Sequence, residues 1–189
     1  MKIQTKLDVV ELILHAVRRI EVVYGGMPYT WGGMGLDGFD CSGLSGEFLK
    51  QLGIMPRGSD LTAHGQFRLY ANHRCTLDGT FDSIETVVER GDLLFFVWDD
   101  SKRSLSPSEV KINHVEIAMN CYQSLGASGG GPLCNTLAHA ILKNAFVKVR
   151  PTRYSKLYAV GRTFSLMTEI LRGSERFTVK QYPPLGEGS

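Results

Sequence analysis

The sequence predicts an α+β domain in which N-terminal helices pack on a central antiparallel sheet. Up to about residue 71 the apolar residues recur mainly at helical spacing, and from residue 91 onward short apolar runs typical of strands follow. Helices that precede a series of strands favour this class over an alternating βαβ order, which would indicate a parallel sheet. A chain of 189 residues can bury roughly 70% of its unfolded surface in one core without disulfides or metal.

The first helix is predicted over residues 8 to 24. Its apolar residues recur every three or four positions and share one face, namely Val9, Ile13, Val17 and Ile20. The pair Gly25-Gly26 follows as a stop signal. The next stretch, "MPYTWGGMGLDGFD", is rich in glycine and carries a proline and three aromatic residues. We therefore expect an irregular but rigid loop there, lining a groove.

A second helix is predicted to begin at Cys41 and to end before Gly53. Its apolar residues recur every four positions, at Leu44, Phe48 and Leu52. A short third helix is predicted over residues 62 to 71, with Thr62 as its N-cap. Its inward-facing residues are expected to be Phe67 and Tyr70.

The second part of the chain predicts strands. "GDLLFFVW" (91 to 98) is a continuous apolar run typical of a buried strand, and "HVEIAM" (114 to 119) alternates between two faces. "SLGASGGG" and "AFVKVRP" predict further strands, with a helical segment around residues 136 to 144, and "KLYAVGRTF" (156 to 164) predicts the last strand. The polar stretch from 98 to 113 predicts a long loop.

These elements predict a single domain over residues 1 to 173 and a poorly ordered tail over residues 174 to 189, where turn formers dominate. Basic residues exceed acidic ones by only two (21 against 19) and are scattered, which does not indicate nucleic-acid binding. No stretch is long enough to predict a membrane span. The N-terminal residues lack the continuous apolar core of a signal peptide, so we expect a protein that is cytoplasmic as synthesised.

The four cysteines match neither a disulfide framework nor a C-x-x-C metal knuckle, and Cys75, Cys121 and Cys134 are interpreted as ordinary small residues. Cys41 differs because it lies in the first turn of a helix, within "GFDCSGL". Unpaired N–H groups and the positive end of the helix dipole favour a thiolate at that position.

A nucleophilic cysteine also needs a base, which near neutral pH is most often histidine. The chain has five histidines, and four are predicted in solvated, packed or surface positions: His15, His64, His73 and His139. His114 stands at the head of an alternating strand, where a rigid backbone can hold an imidazole at a groove. Glu116 lies two residues further and therefore shares its face.

Four motifs in order, "PYTWGG", "GFDCSGL", "GDLLFF" and "NHVEIAM", resemble those of the NlpC-type cell-wall cysteine endopeptidases. The resemblance runs from about Tyr24 to Gly161 and implies a papain-like fold, with Cys41 as nucleophile and His114 as base. It also implies that three residues line the substrate pocket and the oxyanion site: Tyr29, Asp40 and Ser42. Asp40 and Ser42 would help to receive the free amine of a stem peptide. On the residues alone, Trp31 and Tyr29 either line the groove or pack the loop.

One position departs from this family pattern. The family places a third polar residue, usually histidine, about one strand after the base, in a stretch resembling "IHAS". Here the corresponding stretch is "LGAS", which puts Gly126 in that place. Glu116 could hold the imidazole through its distal nitrogen and would then complete the catalytic set. A backbone carbonyl, Ser128 or Asn135 are the alternatives.

The resemblance implies an endopeptidase that cleaves peptidoglycan stem peptides between D-glutamate and the adjacent diamino acid, with no metal or organic cofactor. The alternatives are a non-enzymatic phage tail or assembly component with a degenerate peptidase fold, and a Cys-His acyltransferase. The run "GASGGG…AFVKVRP" resembles the phage-encoded branch of the family. That branch implies phage tail proteins as partners and a protein that is carried in the virion or released on lysis.

Overall fold

A computed structural model describes residues 6–74 and 88–173 of the chain. Within these ranges the helices are α1 (Lys6–Tyr24), α2 (Cys41–Gln51), α3 (Ala63–Tyr70), α4 (Leu137–Leu142) and α5 (Thr163–Arg172). The strands are β1 (Met34–Gly35), β2 (Gly38–Phe39), β3 (His73–Arg74), β4 (Leu93–Phe96), β5 (His114–Ala118), β6 (Gln123–Ser128), β7 (Phe146–Pro151) and β8 (Leu157–Gly161). Short 3₁₀ turns cover Asp100–Lys102 and Tyr154–Lys156.

Six of these strands form one antiparallel sheet in the order β3-β8-β4-β5-β6-β7. The N-terminal helices pack on it, with α2 against β5 and β6 and α1 against both α2 and α5. The predicted α+β class with N-terminal helices on an antiparallel sheet is therefore confirmed. No helix in the described part of the chain is long and apolar enough to cross a bilayer.

Apolar residues on alternate sheet positions explain this packing. One face of the sheet joins the helices in the larger core, and its strand residues include Leu93, Phe95, Val115, Ile117 and Leu125. The opposite face supports a smaller cluster that includes Leu94, Phe96, Ala118, Leu157 and Val160. Because β4 and β5 are covered on both faces, their residues are buried throughout.

The first three predicted helices are confirmed within one or two residues, and Thr62 caps α3 as predicted by accepting a hydrogen bond from the Gly65 N–H. The segment around residues 136 to 144 does contain a helix, α4. Two expectations were wrong. The loop from 27 to 40 contains the β1-β2 hairpin, and the last strand ends at Gly161 because α5 begins two residues later.

The extent of the domain, predicted to end at residue 173, stays a prediction. Cys75 and the tail from 174 to 189 lie outside the described residues.

Candidate active site

Cys41 is the first residue of α2, and the preceding Asp40 is the N-cap of that helix. The Asp40 carboxylate accepts hydrogen bonds from the Gly43 N–H at 2.7 Å and the Ser42 hydroxyl at 2.9 Å through Oδ1, and from the Gly32 N–H at 3.1 Å through Oδ2. The N–H groups of Cys41 and Ser42 have no acceptor within the helix, because the first turn lacks the preceding carbonyls. They can therefore stabilise an anion in front of α2.

Close packing on two sides holds the start of α2. A Cβ at position 43 would lie 2.0 Å from the Gly33 carbonyl oxygen, so glycine is required for the hairpin to approach the helix. On the other side the buried Gln66 of α3 donates to the Ser42 carbonyl at 2.7 Å and accepts from the Ser45 hydroxyl at 2.7 Å. The backbone that carries Cys41 is thereby fixed relative to both the hairpin and α3.

His114, the first residue of β5, meets Cys41 from the sheet. Its exposed fraction is only 6%, and its imidazole lies at the same cleft as the Cys41 side chain, close enough for Cys41 to change its pKa. Burial lowers the pKa of His114, but Cys41, and then the hydrogen bond and charge of Glu116, raise it to about 9. The site therefore favours the imidazolium form of His114 beside Cys41, and the reactive form of a cysteine nucleophile is the thiolate.

Glu116 holds the other ring nitrogen of His114. The distance between His114 Nε2 and Glu116 Oε1 is 2.7 Å, which leaves Nδ1 for the sulfur. Arg150 donates to the same Oε1, and the Ser124 hydroxyl donates to Oε2. Burial raises the pKa of Glu116, but the hydrogen bond and charge of His114, followed by Arg150 and Ser124, lower it to about 2. Glu116 is therefore an ionised carboxylate inside the protein.

Gly126 on β6 lies directly against this carboxylate. A Cβ at position 126 would be 2.8 Å from Glu116 Cγ and 3.3 Å from Arg150 Nη2. The space that the family resemblance assigns to a side chain at position 126 is thus filled by Glu116 from the neighbouring strand. Of the other residues considered for this contact, Asn135 is exposed, and the Ser128 hydroxyl has no hydrogen-bond partner among the described residues.

Cys41 and His114 open into a cleft of about 710 Å³, a volume typical of ligand-binding sites. Its lining includes every residue predicted to bind substrate, namely Tyr29, Trp31, Asp40 and Ser42. Trp31 is 54% exposed, whereas Tyr29 is 5% exposed. The pKa of Tyr29 is raised by burial and by the charges of Cys41 and Asp40. Among the described residues, no group of three His, Cys, Asp or Glu side chains could hold a metal ion.

Cys134 and His64 make contacts of a different kind. Cys134 is buried and its thiol lies 3.5 Å from the Tyr29 carbonyl oxygen. His64 lines the cleft, and its Nδ1 accepts a hydrogen bond from the Ile112 N–H at 3.4 Å. Burial and the charges of Arg68 and Lys111 lower the pKa of His64, which opposes the imidazolium form.

Sequence reasoning missed the residues that support the predicted ones. Arg150 and Ser124 bind the Glu116 carboxylate, Gln66 fixes the first turn of α2, and the Trp98 ring lies 5.4 Å from the His114 ring. The alternating pattern of "HVEIAM" gave no signal for Arg150, because a cation near Glu116 becomes necessary only when β5 is buried on both faces, as it is in the structure. The sequence did not indicate which of the basic residues supplies it.

The family model described as "NlpC/P60 family" matches residues 26–151 of the chain. A gamma-D-glutamyl-L-lysine dipeptidyl-peptidase of Bacillus cereus is 32% identical over 81 residues, which make up 42% of this chain and 20% of that protein. A probable endopeptidase of Mycobacterium tuberculosis is 45% identical over 51 residues, which make up 26% of this chain and 13% of that protein. The matched segments therefore span a fifth or less of these curated relatives.

Two solved structures resemble the fold. A crystal structure of an NlpC/P60 family protein from Bacillus cereus has a TM-score of 0.52 at 19% identity, with 79% of this chain and 39% of that chain covered. NlpC1 from Trichomonas vaginalis also has a TM-score of 0.52, at 20% identity, with 79% of this chain and 43% of that chain covered. At these identities the likeness concerns the fold alone.

Proposed function

The chain belongs to the NlpC/P60 family, and from that premise we propose that it is a cysteine endopeptidase that hydrolyses amide bonds in peptidoglycan stem peptides. The bond proposed is the one between D-glutamate and the adjacent diamino acid. The observation that carries the proposal is the meeting of Cys41, at a helix N-terminus, and His114, at the head of β5, in one cleft. The similarity to a probable endopeptidase and to a dipeptidyl-peptidase supports the reaction class.

In the acylation step the Cys41 thiolate attacks the carbonyl carbon of the scissile amide and forms a C–S bond. The developing oxyanion lies in front of α2, where the first-turn N–H groups of Cys41 and Ser42 can donate to it. The tetrahedral intermediate then collapses and the C–N bond breaks. The imidazolium of His114 transfers its Nδ1 proton to the leaving nitrogen, so that the amine departs neutral and a thioester remains on Cys41.

In the deacylation step a water molecule attacks the thioester, and the now neutral His114 accepts its proton at Nδ1. Collapse of the second intermediate breaks the C–S bond, releases the acid product and restores the thiolate-imidazolium pair. Throughout the cycle Glu116 remains bound to Nε2. It acts as a positioning residue because it contacts the base and not the reacting carbonyl.

Substrate orientation follows from the charges at the two sides of the nucleophile. The Asp40 carboxylate lines the cleft next to Cys41 and carries the negative charge that a free N-terminal amine needs. The leaving amine must lie on the other side, next to His114, because the imidazolium supplies its proton. We therefore place the acyl part of the stem peptide toward Asp40 and Tyr29 and the diamino acid toward His114.

The non-enzymatic alternative had one feature in its favour, the glycine at position 126. The contact between Glu116 and His114 weakens that argument, because the imidazole has a polar partner without a side chain at 126. No described contact favours the acyltransferase. The association with phage tail proteins and the place in the virion stay predictions.

Incubation of the purified protein with a soluble stem tetrapeptide tests the proposal. We expect one new free amine per cleavage and two fragments whose masses locate the cut between D-glutamate and the diamino acid, and we expect neither with Cys41→Ala. Cys121→Ala is the matched control, because it removes a second half-buried thiol, and it should retain activity. Binding without cleavage would support the non-enzymatic alternative, and transfer of the acyl group to an added amine in preference to water would support the acyltransferase.

A further inference from the structure

We propose that Arg150 and Gly126 are positioning residues that allow a carboxylate from β5 to orient the catalytic imidazole in this chain. The inference rests on the proposed function of Cys41 and His114 and assigns a role to two residues that do not contact the reacting atoms. It accounts for Glu116, Gly126 and Arg150 together. Each of these residues is otherwise difficult to explain: Glu116 is a buried acid, Gly126 is a glycine inside a strand, and Arg150 is a cation whose side chain reaches across the sheet.

The first step is the geometry of three adjacent strands. Ala118 of β5 pairs with Ser124 of β6, and Ser124 pairs with Arg150 of β7. Since the spacing between neighbouring strands is about 4.8 Å, Arg150 on β7 is roughly 10 Å from the β5 backbone. A direct contact between Arg150 and Glu116 must therefore pass over β6, and the two side chains meet above that strand.

The second step is the gap that permits this crossing. Gly126 follows Ser124 on the same face of β6. Its missing side chain leaves room for both Glu116 and Arg150, because a Cβ would approach Glu116 Cγ to 2.8 Å and Arg150 Nη2 to 3.3 Å. Contact distances between carbon atoms are normally about 3.5 Å or more. Alanine at position 126 would thus displace the Glu116 side chain by about 0.7 Å.

The third step is charge. The side chain of Glu116 is 5% exposed, and a carboxylate at that depth requires opposite charge and hydrogen bonds on its remaining lone pairs. Arg150 and the Ser124 hydroxyl supply both. Beside Cys41, three groups then alternate in sign, from the His114 imidazolium to the Glu116 carboxylate to the Arg150 guanidinium. Arg150 therefore balances the charge that Glu116 brings next to His114 and holds the carboxylate in the line of Nε2.

The glycine substitution gives a test that separates positioning from general stability. In the wild-type background Gly126→Ala should lower kcat by about a hundredfold with little change in KM, since misplacement of a catalytic group by roughly 1 Å has an effect of this size. In a Glu116→Ala background the same substitution should change kcat less than twofold, because the clashing side chain is absent. An equal loss in both backgrounds would overturn the proposal.

The arginine has a matched control on its own strand. Lys148 lies two residues from Arg150, and its ammonium donates to the Asn144 carbonyl at 2.7 Å instead of reaching Glu116. We expect Arg150→Met to lower kcat by at least tenfold and to move the acidic limb of the kcat profile to higher pH. Arg150→Lys should recover part of the activity, and Lys148→Met should leave both kcat and the profile unchanged. Equal behaviour of the two methionine variants would refute the role of Arg150.

A titration of His114 does not depend on turnover, so it can test this inference separately from the proposed function. The pKa of the His114 imidazole can be followed by NMR in the wild type and in Gly126→Ala. Displacement of Glu116 should lower that pKa in Gly126→Ala but not when Glu116→Ala is already present. If the wild type cleaves no stem peptide, the proposed function fails, while this titration still decides whether Gly126 positions the carboxylate. If the wild type cleaves and Gly126→Ala leaves both kcat and the titration unchanged, the inference alone fails.

Discussion

Glu116→Gln should change the pH dependence of catalysis in a way that can be calculated from the site. Glutamine has nearly the same shape as glutamate and can still accept a hydrogen bond from His114 Nε2, so the substitution removes charge with little change in packing. The pKa of His114 is about 9 in the wild type, with Glu116 among the groups that raise it. Cys41 raises this pKa more than Glu116 does, so without the Glu116 charge we expect the pKa to fall part of the way toward its ordinary value of about 6.5.

The size of the effect follows from the fraction of imidazolium available to protonate the leaving amine. A fall to 6.5 is the upper limit, because Cys41 still raises this pKa; it would cut the imidazolium fraction at pH 8 from about 90% to about 3%, a loss of kcat of at most about thirtyfold. At pH 6 the same fraction drops only from about 100% to about 76%, roughly a 1.3-fold loss. The expected signature is thus a defect that is large at pH 8 and almost absent at pH 6.

The assay is the rate of amine release from a saturating stem tetrapeptide, measured at both pH values. Glu109→Gln is the matched control, because Glu109 is an exposed acid that bonds Ser106 in the loop between β4 and β5, and it should leave the profile unchanged. A Glu116→Gln defect of equal size at pH 6 and pH 8 would refute the reasoning. It would show that the carboxylate acts by shape or stability and not by its charge on His114.

Further substitutions and conditions test other parts of the site and fold. Asp40→Asn keeps a good N-cap but removes the charge, so we expect about a tenfold rise in KM for peptides with a free N-terminal amine and none for N-acetylated ones; equal effects on both peptides would exclude an amine site at Asp40. Phe67→Ala removes a ring that is 2% exposed and packs edge-on against two other aromatic rings, and urea unfolding should show a loss of about 3–5 kcal/mol; a loss below 1 kcal/mol would contradict this packing. Stability should also depend on pH. The pKa of His114 is raised to about 9, so its contribution to stability is complete below pH 6.5 and is lost as the pH rises through 9. The pKa of Glu116 is lowered to about 2, so its contribution is complete above pH 4.5 and is lost as the pH falls through 2. Urea midpoints should therefore be highest between about pH 4.5 and 6.5, and midpoints that rise steadily toward pH 9 would contradict the assignment.

The parts of the fold that the sequence predicted well depend on local signals. The apolar period of α1 and α2, the N-cap at Thr62 and the continuous apolar run of β4 are each determined by residues close together in the chain. The same holds for the position of Cys41 at a helix start. Those signals were sufficient to place the proposed nucleophile at the start of α2.

Two local elements were missed for different physical reasons. The helix α5 follows β8 almost directly, and its N-cap residue, Arg162, makes no side-chain capping bond, so "GRTF" continued the strand pattern without a start signal. The β1-β2 hairpin has strands of two residues each. Its conformation depends on packing against α2, where Gly33 contacts Gly43, and this contact is not visible in the local sequence.

The contacts that hold the Glu116 carboxylate could not be predicted from the sequence, because they depend on how neighbouring strands are aligned in the sheet. The sequence placed Glu116 on the face of His114, but the contact with Arg150 crosses a whole strand and depends on the alignment of β5, β6 and β7. The glycine at 126 was interpreted as a missing group. In the structure it leaves the space in which the Glu116 side chain reaches the His114 imidazole.

The most direct measurement for the catalytic assignment is the mass of the protein during turnover. A reaction with stem peptide, quenched in acid within the first turnovers and digested, should yield the peptide that contains Cys41 with the mass of one acyl fragment added as a thioester. Hydroxylamine should remove the added mass. Turnover without this adduct, or an adduct on any other residue, would contradict the assignment of Cys41 as the nucleophile.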